Sequence, residues 1–343
     1  MIISLVISII NQLIISCFMK KNLLLFPVLA FQFIYAQPPP AIKNLVFEGA
    51  GVRGIAYCGA VQEMESKKMM EGIERVGGTS SGAITALTIS LGYSGKEIEN
   101  IISKTNFKKF NDGGFFFIGG INRLNRNFGW YKGKKFEKWL EKIIKAKTGN
   151  ENITFEELHQ KGFKDLYITG TSLNKQKAVI FSYESYPKMK IKDAVRISIS
   201  IPLYFEPVFI DSSGKTFDRP KQKQEFDLMV DGGLLENFPI HIFDKQQPDP
   251  YTIGFRIDHG PQIENDKGDK ALAEMPVDNL KQYFGAFYSI VIENLNRQRL
   301  TTTDWQRTVS ISDGDVLPKV RKLSKEEITI LIENGRKAVQ ERF

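Results

Sequence analysis

The 343-residue sequence predicts an α/β fold in which a central, mainly parallel sheet is sandwiched between helices. Three observations carry the prediction. Short apolar runs alternate along the chain with segments of helical periodicity. Glycine-rich turns close three of the runs, and two of these turns open directly into a helix. Hydrophobic residues make up 42% of the chain and charged ones 25%, with 25 Phe, which supports a large core and excludes a disordered or fibrous protein. No internal repeat is present.

Residues 1–36 stand apart, with no acid and only Lys20 and Lys21 as bases. Met19-Lys20-Lys21 followed by the apolar Asn22 to Ile34 reads as a signal peptide whose true start is Met19, with Ile34-Tyr35-Ala36 offering a small residue for cleavage. The alternative is a membrane anchor, since each apolar half falls near the lower limit for spanning. Either reading makes the protein exported or membrane-associated, and it is cytoplasmic only if residues 1–36 are not a working signal. Gln37-Pro38-Pro39-Pro40 opens a linker over 37–42, and 43–343 form one folded domain.

Within that domain Lys43 to Glu48 reads as a strand, followed by a tight glycine loop and a helix over Ile55 to Met70. Ile73 to Val76 is a second strand and Ser81 to Leu91 a second helix. Helices are expected at Lys96 to Ser103 and Lys134 to Lys147, around a glycine- and aromatic-rich irregular segment that ends at Trp130. Thr154-Phe155-Glu156-Glu157 has capping-box form. Strands follow at Asp165 to Thr171, Ala178 to Ser182, Glu206 to Ile210, Phe226 to Val230, Tyr251 to Ile257 and Thr308 to Ile311. Val277 to Leu300 reads as one long helix, and Ser324-Lys325-Glu326-Glu327 caps a last one.

The formal charge is +8, or +6 without Lys20 and Lys21. From Lys104 to Lys145, eleven bases face only Asp112, Glu137 and Glu141, a local excess of +8. Phe107, Phe110, Phe115, Phe116, Phe117, Phe128, Trp130 and Trp139 are interleaved there. That pattern suits an anionic membrane surface, and no nucleic-acid partner is expected. Cys17 and Cys58 leave at most one cysteine in a processed chain. With three His at 159, 241 and 259 there is no metal-ligand spacing, so neither a metal nor another cofactor is expected. The sequence carries no signal for an oligomeric state.

Three strand ends bring polar chemistry. Gly78-Thr79-Ser80-Ser81-Gly82 lies between a strand and a helix, the setting of a nucleophile elbow, in which a sharp turn lifts the Ser80 hydroxyl and Gly78 and Gly82 avoid clashes. At a helix N-terminus the free amides and the dipole favour developing negative charge. Alone, the spacing also describes a plain glycine turn. Gly49-Ala50-Gly51-Val52-Arg53-Gly54 leaves the first strand with amides able to face an anion, the natural place for an oxyanion hole. A dinucleotide fingerprint competes, with Glu74 at the distance of a ribose ligand. Asp231-Gly232-Gly233 ends a third apolar strand.

With these three elements in this order, and Arg196-Ile197-Ser198-Ile199-Ser200-Ile201-Pro202 between the second and third, the chain resembles the patatin-like phospholipases. The resemblance is clear from Asn44 to Phe238 and extends over 41–343. It implies a three-layer α/β/α domain and hydrolysis of ester bonds in membrane lipids through a Ser–Asp dyad. Ser80 is then the nucleophile and Asp231 the base. Gly49, Ala50, Gly51, Arg53 and Gly54 form the oxyanion loop, while Arg196, Gly232 and Gly233 support the site. A buried base of this kind needs its proton affinity raised by desolvation. Arg53 either orients a phosphate or acyl carboxylate or forms a surface salt bridge. Ala50 replaces a glycine common in the family, and Ile197, Ile199 and Ile201 are bulkier than its alanines. A Ser80–Asp231–His triad using His241 or His259 is the competing arrangement.

The segment from Phe107 to Trp130 is read as a lid that inserts at lipid interfaces through Phe115, Phe116, Phe117 and Trp130, or else as core aromatics beside a solvated basic helix. Two other functions compete with the hydrolase: a non-catalytic lipid-binding protein of the same fold, and a dinucleotide-dependent oxidoreductase.

Overall fold

The computed structural model describes residues 41–113, 118–220, 224–268, 272–294, 297–316 and 321–343. The segment 1–36, linker residues 37–40 and the lid residues Phe115, Phe116 and Phe117 lie outside these. No helix among the described residues is long and apolar enough to cross a membrane.

The strands are β1 (Asn44–Phe47), β2 (Arg75–Gly78), β3 (Gly129–Tyr131), β4 (Asp165–Ser172), β5 (Lys177–Phe181), β6 (Leu203–Phe205), β7 (Val208–Ile210), β8 (Thr216–Phe217), β9 (Asp227–Asp231), β10 (Thr252–Asp258) and β11 (Thr308–Ser312). The main sheet runs β11-β10-β1-β2-β4-β9-β7-β8, with β5 also on β4, while β3 and β6 form a separate pair. From β11 to β4 every pairing is parallel. Beyond β4 every pairing is antiparallel, so the sheet is mixed where a mainly parallel one was expected. Apolar alternation reports burial of a strand and not its direction, which explains the difference.

Alternation in β1 divides the core. Leu45 and Phe47 enter the main hydrophobic cluster, while Val46 joins Tyr167, Phe238, Ile240 and Phe243 in a smaller one. The helix Ser81–Ser90 packs on β1, β2 and β4. It carries no charged residue, and all but its first residue are buried, as a central helix requires. The helices Ala56–Ser66 and Lys325–Arg342 cross backbone to backbone, because a Cβ on Gly335 would lie 2.0 Å from the Ala56 carbonyl oxygen. Capping boxes start helices at Thr154 and Ser324, as the sequence predicts.

Two segments depart from expectation. A helix, Ile118–Asn127, occupies part of the stretch read as irregular. The long helix expected over Val277 to Leu300 is broken into an α-helix Leu280–Tyr288, a π-turn Ser289–Asn294 and a 3-10 turn Arg297–Arg299. Arg297 explains the break, since its guanidinium is drawn into a buried ion pair with Asp258 at the end of β10, 3.1 Å away.

Six non-glycine residues among those described have positive φ. Lys68, Gln176 and Asp315 sit in polar turns, and Ser80 is one of the site residues. The other two, Phe128 (φ 63°) and Leu203 (φ 67°), are bulky and apolar, and this left-handed conformation costs each about 1–2 kcal/mol.

Candidate active site

Strand register brings the candidate residues to one level. Phe47 is opposite Gly78, so the loop after β1 and the turn after β2 leave the sheet side by side. Gly78 is opposite Ile168 of β4, and two residues further along β4 Gly170 is opposite Asp231. One strand thus separates the turn that bears Ser80 from the end of β9 that bears Asp231.

The turn at Ser80 is sharp, with φ 52° and ψ −115°, and the residue stands at the N-cap of the helix Ser81–Ser90. The helix folds back so closely that a Cβ on Gly78 would meet the Gly82 carbonyl carbon at 2.4 Å, and one on Gly82 the Phe47 oxygen at 2.2 Å. Only glycine fits either position. The Ser80 hydroxyl lies beside the Asp231 carboxyl, close enough to lower its proton affinity, and the Gly233 amide donates to Asp231 Oδ1 at 2.8 Å. Burial pushes the Asp231 pKa up to about 7, against the lowering effect of these two neighbours. Gly232 is held close to β4, since its Cβ would fall 2.2 Å from Thr169 Oγ1.

The loop from Gly49 to Gly54 is not uniform in its amides. The Gly49 amide donates to the Asn237 carbonyl at 3.1 Å, and the Ala50 amide to Ser81 Oγ at 2.9 Å. The amide of Arg53 bonds back to Ala50. Those of Gly51 and Val52, which open the 3-10 turn Gly51–Ile55, have no acceptor among the described residues. They are the donors available to an oxyanion, and Val52 was not among the residues singled out from the sequence. The Arg53 side chain is engaged by Asp313 at 3.1 Å and by the Ala50 carbonyl. It forms a buried salt bridge where a surface one or a phosphate contact was expected. Gly54 lies against Ser81, where a Cβ would come within 2.8 Å of the serine Cβ.

The Arg196 to Pro202 block braces both Ser80 and Asp231. Ser198 Oγ accepts from the Ser80 amide at 2.9 Å, and the Ser200 carbonyl accepts from the Asp231 amide at 2.9 Å. Arg196 is buried and donates to Ser200 Oγ and to the carbonyls of Lys132 and Glu206. A second brace was not anticipated. Thr79 Oγ1 donates to the Glu236 carbonyl at 2.7 Å, and Asn237 Nδ2 donates to the Gly49 carbonyl at 3.0 Å. Residues 236 and 237 therefore tie the elbow and the loop to the segment that follows Asp231. The signal for this was Asn237 itself, whose side-chain amide can donate to a backbone carbonyl.

An apolar cleft opens onto Ser80. Gly51, Val52, Ile84, Ile102, Phe107, Phe110, Phe136, Ile199, Ile201 and Phe205 line it. Phe107 and Phe110 also pack with Trp139, so these aromatics belong to a core cluster that walls the cleft. Trp130 is half-buried, and a Cβ on Gly120 would lie 2.5 Å from its ring. It is packed against the helix Ile118–Asn127 and does not project as a lid residue would. A polar recess of about 590 Å³, whose lining does not include Ser80, has Arg126, Lys132 and Arg219 among its lining residues.

No histidine hydrogen-bonds to Ser80 or Asp231 among the described residues. His241 pairs with Asp304 at 2.9 Å, and His259 occupies the N-cap of the helix Gly260–Lys267. His241, Asp244 and Asp304 are close enough to share a cation, but Arg307 already bonds both carboxylates. Glu74, the candidate ribose ligand, is exposed just before β2 and paired with Lys43 just before β1. It therefore lies at the end of the strands opposite to the glycine loop.

A model of the patatin-like phospholipase family matches residues 45–244, which include all four motif blocks. The chain is 30% identical to YqhO of Bacillus subtilis (strain 168) over 306 residues, 86% of this chain and 96% of that protein. It is 28% identical over 217 residues to "Probable lipid hydrolase 463L" of Invertebrate iridescent virus 6, 61% of this chain and 66% of the viral one. Among solved structures, VipD from Legionella pneumophila shares the fold with a TM-score of 0.55 at 17% identity, over 88% of this chain and 67% of VipD.

Proposed function

Because the chain belongs to the patatin-like phospholipase family, we propose that it is a lipid acyl hydrolase of the phospholipase A type, working through a Ser80 acyl-enzyme with Asp231 as its base. The observation that carries this reading is the placement of the Ser80 hydroxyl, on its sharp turn at a helix N-terminus, beside a buried carboxyl whose pKa is raised to about 7. A carboxylate poised near neutrality is a far better proton acceptor than a solvated one.

In this reading Asp231 takes the proton as Ser80 Oγ attacks the ester carbonyl carbon. The amides of Gly51 and Val52 stabilise the oxyanion that forms. Collapse breaks the bond to the leaving alkoxide, which receives the proton from Asp231 and departs as the lysolipid. Water then attacks the acyl-enzyme, again giving up its proton to Asp231, and the fatty acid leaves with Ser80 restored. The acyl chain lies along the apolar cleft, which Ile199 and Ile201 help to line. Residues 1–36 act as a signal or an anchor that delivers the enzyme to a membrane. A panel of phospholipids, galactolipids and triacylglycerols, with the released fatty acid and lysolipid identified, tests the reading. Release of fatty acid from at least one diacyl phospholipid is expected, and no release from any ester lipid would sink it.

Asn237 carries a second expectation. Asn237→Ala removes the bond to the Gly49 carbonyl and lets the oxyanion loop drift, so kcat should fall by about tenfold or more with little change in KM. A rise in KM at constant kcat would instead place Asn237 in substrate binding.

A further inference from the structure

The strained, exposed residues Phe128 and Leu203 are neighbours. β3 and β6 pair with Gly129 opposite Leu203, so Phe128 lies one residue from the partner of Leu203. Leu203 is 66% exposed and Phe128 42% exposed. Ile121, on the helix that leads to Phe128, is 52% exposed. Positive φ in a bulky apolar residue is unfavourable, and burial gives nothing back to side chains that remain in water. Entry of the side chains into an apolar phase would remove the second cost and offset the first.

The surroundings indicate which phase. The Arg219 guanidinium lies 5.4 Å above the Phe128 ring and donates to the Arg126 carbonyl. Arg126, Lys132 and Arg219 line the adjoining polar recess and are exposed, with Glu206 and Asp218 also in its lining. Leu203 sits between Ile201 and Phe205, both of which line the cleft to Ser80. An apolar tip with exposed bases beside it and the cleft next to it matches an anionic bilayer, with hydrocarbon for the tip and headgroups for Arg126, Lys132 and Arg219.

We infer that the β3–β6 tip, with Ile121, Phe128 and Leu203 as its apolar face, is a wedge that enters an anionic lipid surface and seats the cleft on it. This rests on the lipid-hydrolase reading and assigns the interfacial role to residues other than those first expected to hold it.

A probe local to the wedge tests the inference apart from turnover and from residues 1–36. The full chain carrying Leu203→Cys and Cys17→Ser is labelled with a nitroxide and mixed with vesicles of phosphatidylcholine and phosphatidylglycerol. Ile330→Cys, at a residue that is 45% exposed elsewhere, serves as the control. The label at 203 should lose accessibility to an aqueous paramagnetic reagent and gain accessibility to oxygen, while the label at 330 stays in water. A label at 203 that remains in water with vesicles present overturns the wedge.

The double variant Phe128→Ser, Leu203→Gly supplies the second arm. Its hydrolysis of vesicle lipid should fall by about tenfold or more, with hydrolysis of a soluble short-chain ester unchanged. Its thermal midpoint should not fall, since glycine relieves the backbone at 203. Equal loss on both substrates, or a concentration-dependent dimer abolished by the variant while label 203 stays in water, overturns the proposal and in the second case gives the patch to another copy of the chain. If label 203 inserts but the unsubstituted chain cleaves no ester, the wedge stands and the hydrolase reading fails.

Discussion

Ser80→Ala is expected to abolish fatty-acid release and fluorophosphonate labelling together, with kcat lowered by at least about a thousandfold. The expectation follows from the position of the hydroxyl, which lies beside the buried Asp231 and stands at a helix N-terminus near two loop amides without an acceptor among the described residues. No other serine or threonine side chain acts on the Asp231 carboxyl among the described residues. Ser80→Gly should be equally inactive yet more stable than Ser80→Ala by about 1 kcal/mol, because the backbone at φ 52° suits glycine. Mass spectrometry of the labelled protein and thermal melts of the two variants check both statements. Labelling that persists in Ser80→Ala would move the nucleophile elsewhere and end the hydrolase mechanism given above.

Asp231→Asn should be inactive and, above neutral pH, more stable than the unsubstituted chain. Burial raises this carboxyl from 3.8 to about 7. The folded state therefore keeps a proton that the unfolded chain has already released, and stability present below pH 4 is lost as pH rises towards 7. The shift corresponds to a loss on the order of 4 kcal/mol once the carboxyl is ionised. Asparagine never ionises and escapes that loss, while its Oδ1 still accepts from Gly233. The stability gap should open between pH 4 and 7 and stay constant above. Activity of the unsubstituted enzyme should run the other way, falling as pH drops below about 7 because a protonated base cannot accept from Ser80. A difference in melting temperature that is the same at pH 4.5 and pH 8, or an acid limb near pH 4, would show that Asp231 is not buried in the way that raises its pKa.

The reacting groups were legible in the sequence because each sits in a local pattern: an elbow, a glycine loop and a strand-end Asp-Gly-Gly. What braces them was not. Ser198 reaches the Ser80 amide across 118 residues of chain, and Asn237 reaches Gly49 across 188. No spacing rule encodes such contacts, which arise only when the sheet is assembled. The split within the glycine loop was equally hidden, since amide engagement at Gly49 and Ala50 depends on partners from elsewhere in the fold. In the aromatic segment composition gave two readings: Phe107 and Phe110 pack as core, Phe128 is exposed, and the lid residues Phe115, Phe116 and Phe117 lie outside the described residues. A left-handed Phe or Leu has no signature in residue type, which is why the tip at Phe128 and Leu203 could not be found before the backbone was seen.

The change from parallel to antiparallel pairing at β4 has a consequence for how this molecule ages or inactivates. β9 is in register with β4 through three residue pairs, Gly170 to Ser172 against Met229 to Asp231, with the Leu173 amide bonded to the Leu228 carbonyl beyond them. Slippage by a single step would turn the carboxyl to the far side of the sheet, since adjacent residues of a strand point in opposite directions. Loss of turnover can thus precede melting, as a misalignment of two otherwise intact halves, and the fraction of competent molecules in a preparation becomes a measure of alignment at that one seam.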